Sequence, residues 1–397
     1  MIFSFGKHDT NYGVIVDVHS GSVGIALVHS DPTSNKPKIL FSFREYLKIL
    51  DAPDTPSLLR ALTAALAVAT EALSKDGMRV LMAHDTKARI SKVLLVCGAP
   101  WAQTVTRFIH VEDTEPFVIT EEKVKSLIVE AERRDETELK TSDLLKELNV
   151  SLVERAVVNT AINGYFVEDP YGKKGTEFSL AHISGLIPEI IVKGIESLEH
   201  KASLHVVRKT HTFALVLFCV VRDLYPKITQ ALIVDISGEA TELCIMQEEV
   251  LMETCVFPYG THSFVRDIGT LLNNTFPEEV LGHLREYGPG SDEKIKKAVT
   301  VIQERYLKKL EEALVLLEER YTIPRHCIQV TSKNLGAFFD PLIEGFITKY
   351  KSKEVRSFIS LNKDLLSEKK DAEQNKDVFF VVEARFFHKL HACGEIT

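Results

Sequence analysis

Two short polar turns in this chain carry residue types suited to holding an anion and a metal ion. The first runs Asp17-Val18-His19-Ser20-Gly21-Ser22-Val23, and the second Asp235-Ile236-Ser237-Gly238-Glu239-Ala240-Thr241-Glu242. In each, a β-branched run passes through an aspartate, small polar residues and glycine follow, and a second apolar run begins. Glycine lets backbone N–H groups approach an anion closely, and hydroxyls add donors. Two such turns set face to face would clamp a polyphosphate among Ser20, Gly21, Ser22, Ser237, Gly238 and Thr241. The aspartate near each strand end, Asp17 and Asp235, would hold Mg²⁺ through water, because that ion keeps several of its own waters. Taken singly, either turn is also ordinary hairpin chemistry, since Gly, Ser and Asp favour turns in general.

The turns need strands to aim them. Residues 12–30 read as strand, turn and strand, and residues 231–246 repeat the pattern, with a third strand at 249–260. The aspartates are 218 residues apart (235 − 17). That spacing points to duplicated half-molecules, and no period of 20–50 residues is evident. Leu and Ala at helical spacing predict a helix over 57–73, with Ser57 or Thr55 as cap. A buried strand is expected at 92–100. A strand end at 117 leads into a helix to 134, capped by Thr120, with Glu121 and Glu122 favouring its start. Residues 152–184 alternate like a β-meander punctuated by Asn163–Gly164 and Asp169–Pro170. A helix near 188–200, a strand at 204–209 and the apolar segment 213–221 follow. The longest amphipathic helix is expected over 291–321, with Ile302, Tyr306, Leu310 and Leu314 on its buried face. Strand 327–332 and a helix over 335–350 come next. The charged stretch 351–377 reads as a surface excursion, and 378–391 as a closing core strand and helix.

Composition excludes several function classes. The 397 residues are 45% hydrophobic, enough for a large core and, at about 100–200 residues per domain, two to four domains. A net charge of −8 leaves no overall basic footprint for nucleic acid. Six cysteines without a CxxC pair favour reduced core thiols in a cytoplasmic setting. The first residues are too short an apolar patch for a signal sequence, and no run of about 18 apolar residues predicts a membrane span. There is no GxxxxGK[ST], GxGxxG or GxSxG motif. His388, His391 and Cys393 lack a fourth metal ligand and read as a chain-end helix.

The paired turns resemble the phosphate hairpins of the actin-like ATPase superfamily, which includes actin, sugar kinases and heat-shock chaperones. Within it the match is best to the bacterial cell-division protein FtsA, with the pilus-assembly protein PilM next. Further likeness lies in "FPYGTHSFVRDI", where Asp267 follows Pro258 by nine residues (267 − 258), and in "VITEEKVKSLIVEAE" and "INGYFVEDPYGKKGTEFSLAHIS". The resemblance implies an α/β, ribonuclease H-like duplicated fold with an inserted small α+β subdomain. It divides the chain into a first half of domain I (1–90), the insertion (91–205), a return to domain I (206–230), and domain II (231–397) with a reduced helical part at about 270–325. It implies bound ATP and Mg²⁺, with Asp267 orienting the metal or water and Gly336 on the adenine side. The chain departs from the family pattern at His19, Ser237 and Glu239, which stand where glycines are usual. A charge at Glu239 would repel phosphate unless a cation intervened. The family's Glu-x-x-Lys has only Arg285 as an offset substitute.

The function implied is a scaffold at the inner face of the bacterial cell membrane, recruiting division proteins as FtsA does, with degenerate ATP binding. One alternative is a PilM-like cytoplasmic component of type IV pilus assembly that binds a peptide of a membrane partner. A second is an active Mg²⁺-ATPase. Partners are expected to be proteins, including further copies in a filament. Contact with the membrane is expected only through partners, because the chain end lacks a basic amphipathic helix.

Overall fold

Along β1 (Tyr12–His19), Val14, Val16 and Val18 alternate with Ile15, Asp17 and His19, and all eight residues are buried. Along β10 (Gln230–Ile236), Leu232, Val234 and Ile236 alternate in the same way with Ile233 and Asp235. Successive side chains of a strand point to opposite faces, so strands this apolar need cover on both sides. Stacked layers supply it. The structure is a computed structural model that describes residues 11–34, 36–141, 149–201, 206–273, 277–286, 293–332, 335–350, 357–366 and 377–392.

The first sheet has the order β3-β2-β1-β4-β9, from β2 (Ser22–His29), β3 (Lys38–Tyr46), β4 (Ile90–Cys97) and β9 (Val207–Thr212). Strands β1 to β3 form an antiparallel meander, and β4 and β9 run parallel to β1. The second sheet repeats this plan as β12-β11-β10-β13-β14, from β11 (Thr241–Gln247), β12 (Val250–Phe257), β13 (His326–Thr331) and β14 (Ser357–Ser360). The duplication expected from the twin turns is therefore a duplication of whole sheets.

Outside the first sheet pack α1 (Thr55–Ala72), α2 (Met78–His84) and α4 (Glu189–Lys201); α3 lies elsewhere, at Glu121–Thr141. Asp54, rather than Ser57 or Thr55, caps α1. It accepts from the Ser57 N–H at 2.8 Å while the Ser57 hydroxyl reaches back to the Asp54 backbone, a reciprocal box. Thr120 caps α3 as expected, accepting from the Lys123 N–H at 3.2 Å. The stretch Thr55–His84 is long and apolar enough to cross a membrane by length and composition. Here Leu62, Leu66, Ala69 and Leu81 pack it onto the sheet.

Between the two sheets lie α5 (Phe213–Leu224) and, from the far end of the chain, α11 (Val378–Ala392). Residues 213–221 are apolar on every side of the helix and all buried, as a helix between two layers must be. Residues 378–391 were expected to be strand and helix; they form α11 alone. Phe379 and Phe380 with Phe386 and Phe387 place paired rings two turns apart, and the helix packs on β1, β2 and β3 of the first sheet and against α5. On the outer face of the second sheet pack α6 (Thr261–Leu271), α7 (Pro277–Glu286), α8 (Glu293–Glu318) and α9 (Gly336–Ile347).

A third sheet, β5-β8-β6-β7, is antiparallel and carries α3 on its side. Its strands are β5 (Gln103–Val118), β6 (Val150–Ile162), β7 (Tyr165–Phe166) and β8 (Lys174–Pro188). Asn163 and Gly164 turn β6 into β7 with φ of 50° and 78°, the left-handed pair that a tight hairpin favours. β4 and α4, which flank this sheet in the chain, belong to the first sheet and its helical layer. Part of the charged stretch 351–377 also enters the core. β14 pairs in parallel with β13, and α10 (Leu361–Leu366) buries Leu361 and Leu365 in the central layer. The remainder, apart from Asp377, lies outside the described residues, as does Cys393, and the side chain of Arg285 is not described.

Candidate functional site

Residues 15, 17 and 19 share the inward face of β1, and 233 and 235 the inward face of β10. Asp17 and Asp235 therefore meet in the central layer, one from each sheet. The ring of His19 lies between them, with Nδ1 2.6 Å from Asp17 Oδ1 and Nε2 3.7 Å from Asp235 Oδ2. Phe213 and Phe379 close on the ring from α5 and α11, each with centroids 4.7 Å away. A Cβ on Gly98 would fall 2.3 Å from the His19 ring, so the glycine leaves the imidazole its space.

Arg44 reaches Asp17 from β3, two strands away. Its Nη1 is 2.7 Å from Asp17 Oδ2, and its Nε is 2.5 Å from Asp377 Oδ2. Gly24 stands between them in the ladder, opposite both Asp17 and Arg44. Any side chain there would collide with the guanidinium and with Phe380. Phe379 and Phe380 lie 5.3 and 4.8 Å from the guanidinium carbon, a cation–π contact.

Burial sets the electrostatics. It would raise the Asp17 carboxyl, but the charges of His19 and Arg44 outweigh it and hold the group well below the usual carboxylate range. Burial would likewise make His19 neutral, but the Asp17 carboxylate, aided by Asp235, pushes the ring up to about 10. Asp235 is raised by burial, with His19 opposing. Glu242, opposite Asp235 in the ladder, is pushed by burial up to about 8. Glu383 on α11 is raised well above its ordinary value by burial and by the neighbouring Asp17 charge. Only part of this acidic cluster is ionised at neutral pH, matched by the two cations His19 and Arg44.

The two turns touch. A Cβ on Gly238 would lie 2.5 Å from Gly21 Cα and 2.6 Å from Gly21 N, and one on Gly21 would lie 2.9 Å from Gly238 Cα. Ser20 Oγ and Ser237 Oγ share a hydrogen bond of 2.8 Å, and the Glu239 N–H donates to Ser20 Oγ at 2.9 Å. The Ser237 hydroxyl also reaches Ala99 O at 3.1 Å. Ser20, Gly21, Ser237 and Gly238, expected to cradle phosphate, are thus engaged with one another, while the Ser22 hydroxyl accepts from Arg44 Nη1 at 2.9 Å. The cation needed at Glu239 is Arg266 of α6, whose Nη2 is 2.5 Å from Glu239 Oε1, and the Ser263 hydroxyl donates to Oε2 at 3.0 Å. Arg266 Nε also donates to Leu50 O at 2.6 Å, which links α6 to the first half.

Three expected site residues lie apart from this cluster. The Thr241 hydroxyl bonds Tyr259 O at 2.7 Å and Tyr306 Oη at 3.2 Å. Asp267 accepts from Tyr259 Oη and Arg305 Nη1, both at 2.6 Å. Gly336 starts α9 against Asn362, 3.2 Å from where a Cβ would stand. Beside the joined turns a cavity of about 390 Å³ remains, walled by Gly21, Ser22, Lys48, Ser237, Gly238 and His262 among others. That volume suits a small molecule, but Asp17, Ser20, Asp235, Thr241, Asp267 and Gly336 are not on its wall.

Between the turns and between the aspartates there is no room for the expected Mg²⁺-bound polyphosphate. The path between the turns is filled by the opposing backbone, and the space between the aspartates by His19. Among the described residues, no group of three or more His, Cys, Asp and Glu side chains is arranged to hold a metal ion.

The duplicated sheets and their central helices define the actin-like ATPase fold. The chain is similar to a solved PilM-PilN type IV pilus biogenesis complex over 94% of its length and 97% of the matched chain, with a TM-score of 0.59 and 14% identity. The ethanolamine utilization protein EutJ from Carboxydothermus hydrogenoformans matches at a TM-score of 0.43 and 9% identity, over 95% of this chain and 89% of that one. A ROK family glucokinase from Streptomyces griseus, solved with glucose and AMPPNP, matches at 0.40 and 12%, over 88% and 94%. No protein-family profile matches the chain, and no curated protein does.

Sequence reasoning missed Arg44, Arg266, Glu242 and Glu383. Arg44 in "FSFREY" and Glu383 in "VFFVVEARFF" each interrupt an apolar run, and a charge in such a run implies a buried partner. Arg266 directly precedes Asp267 on a helix, and nothing local in the sequence marks it as a partner of Glu239.

Proposed function

We propose that this protein is a scaffold of the PilM kind, a component of a bacterial pilus machine that works through protein contacts and does not turn over ATP. The observation that carries the proposal is the direct contact of Gly21 with Gly238. A polyphosphate cannot lie between turns that touch, which weighs against hydrolysis between them. The likeness to the PilM-PilN complex over nearly the whole of both chains supports a pilus role over the division role suggested by the FtsA resemblance. A groove of about 460 Å³ supports the binding of an extended peptide. It runs along β9, the edge strand of the first sheet, and is lined by Glu154, Lys209, His211 and Phe386 among others. The partner would be a membrane protein reached from the cytoplasm.

Two measurements test this reading. Millimolar Mg²⁺·ATP should neither raise the Tm of the wild-type protein nor release phosphate. A shift that Asp235→Ala abolishes would sink the proposal. The complex isolated from native membranes through a tag on this chain should also keep its partner after treatment with EDTA and apyrase; loss of the partner would show dependence on nucleotide.

A further inference from the structure

We propose that His19 stands in for a divalent cation, its ring joining the two halves of the molecule at the place where Asp17 and Asp235 would share a water-bridged metal. The inference deepens the scaffold reading and rests on it. Each ring nitrogen faces a carboxylate from a different sheet, Nδ1 to Asp17 at 2.6 Å and Nε2 toward Asp235 at 3.7 Å. Nδ1 donates to the Asp17 carboxylate, while Nε2 lies beyond hydrogen-bond reach of Asp235 and has no hydrogen-bond partner among the described residues, so a protonated ring meets Asp17 through a hydrogen bond and Asp235 through charge alone. Phe213, Phe379 and the backbone at Gly98 hold the ring on three sides, and it borders the cavity beside the turns. Arg44 holds the other oxygen of Asp17, so the arrangement is a chain of alternating charge: Arg44, Asp17, His19, Asp235.

The arrangement also differs from a metal site in what it permits. A hydrated metal can leave with its nucleotide and let two halves part. A side chain cannot leave, and with the Ser20 to Ser237 hydrogen bond it ties the two halves together. Asp235 depends on the ring: neither of its oxygens has a hydrogen-bond partner among the described residues. Taking the ring away would leave two buried carboxyls facing each other across a void of imidazole size. Hard oxygen ligands on two sides of a small void are what Mg²⁺ or Mn²⁺ selects.

The test is divalent-cation binding by wild type, His19→Ala and His19→Ala/Asp235→Asn, with Mn²⁺ alone followed by calorimetry, electron paramagnetic resonance and thermal denaturation. His19→Ala should bind Mn²⁺ at least tenfold more tightly than wild type and gain several degrees of Tm from it, by ligand linkage. The double variant should lose both effects. No gain in His19→Ala would overturn the assignment. Should that variant not fold, His19→Lys and His19→Gln decide the matter. Lysine restores a cation and glutamine only the bulk, so His19→Lys should be the more stable; glutamine equal to or above lysine would refute the cationic role. Wild type that binds Mg²⁺·ATP would overturn this inference and the scaffold reading together. A wild type indifferent to Mg²⁺·ATP with no metal gain in His19→Ala would overturn this inference alone.

Discussion

Gly238→Ala is the substitution that asks most directly whether the turns touch. The added methyl would sit 2.5 Å from Gly21 Cα, 2.6 Å from Gly21 N and 2.9 Å from the Ser20 carbonyl carbon. Carbon atoms in contact prefer about 3.5–4.0 Å, so the turns must separate by roughly 1 Å. All three neighbours are backbone, and their turn is pinned by the Leu47 N–H donating to Gly21 O at 3.0 Å. Overpacking costs about 1–3 kcal/mol, and a backbone obstacle belongs at the upper end. Separation also breaks the hydrogen bonds from Ser20 to Ser237 and from Glu239 N–H to Ser20, at about 1 kcal/mol each. A loss of roughly 3–5 kcal/mol follows. Trp101 reports on it: the chain's single tryptophan is buried and donates its backbone N–H to Gly98 O at 3.0 Å. With a urea m-value of about 3 kcal/mol/M or more, the fluorescence midpoint should fall by on the order of 1 M. Gly345→Ala is the control. It lies exposed in α9 with nothing within 4 Å of the added carbon and should gain about 0.5–1 kcal/mol. If Gly238→Ala instead unfolds at the same urea concentration as wild type, the turns are apart and the case against a nucleotide falls with them.

Two further outcomes can be measured in the same way. Arg266→Ala should cost about 2–4 kcal/mol by leaving Glu239 nearly buried without its cation, and Arg266→Ala/Glu239→Gln should recover most of it; additive losses would mean the pair is uncoupled. Glu242 carries a pH signature. Its folded pKa of about 8 lies above the ordinary 4.5, so unfolding releases a proton between those values. The stability it contributes is present below pH 4.5 and falls as pH rises toward 8, by at most about 1.4 kcal/mol per unit. Glu242→Gln should therefore be more stable than wild type at pH 8 but not at pH 4.5; an equal difference at both would refute a neutral buried Glu242.

Much of the fold was legible because it follows from local periodicity. The run through Val14, Val16 and Val18, with its twin at Leu232, Val234 and Ile236, specifies strands buried on both faces, and the residues between specify the turns. The helical face through Ile302, Tyr306, Leu310 and Leu314 needs only the 3.6-residue period. Local signals also failed where two answers were equally apolar. The cap of α1 fell to Asp54 because its carboxylate reaches the Ser57 N–H, and the closing segment became one helix that packs along the first sheet and α5.

The sequence by itself marked two similar strand–turn–strand units, each with an aspartate and a small polar turn, as signs of duplicated halves. It also marked Glu239 and His19 as foreign to a phosphate cradle. Only the tertiary structure decided what becomes of them. Ser20 and Ser237 are 217 residues apart, and no local pattern reports a distance of a few ångströms between segments so remote. That distance separates a cleft that admits a polyphosphate from one closed by glycine against glycine. The same holds for charge. Arg266 neutralises Glu239 and His19 bridges the aspartates only because helices and sheets set these groups within contact, where burial makes an unpaired charge too costly to leave alone.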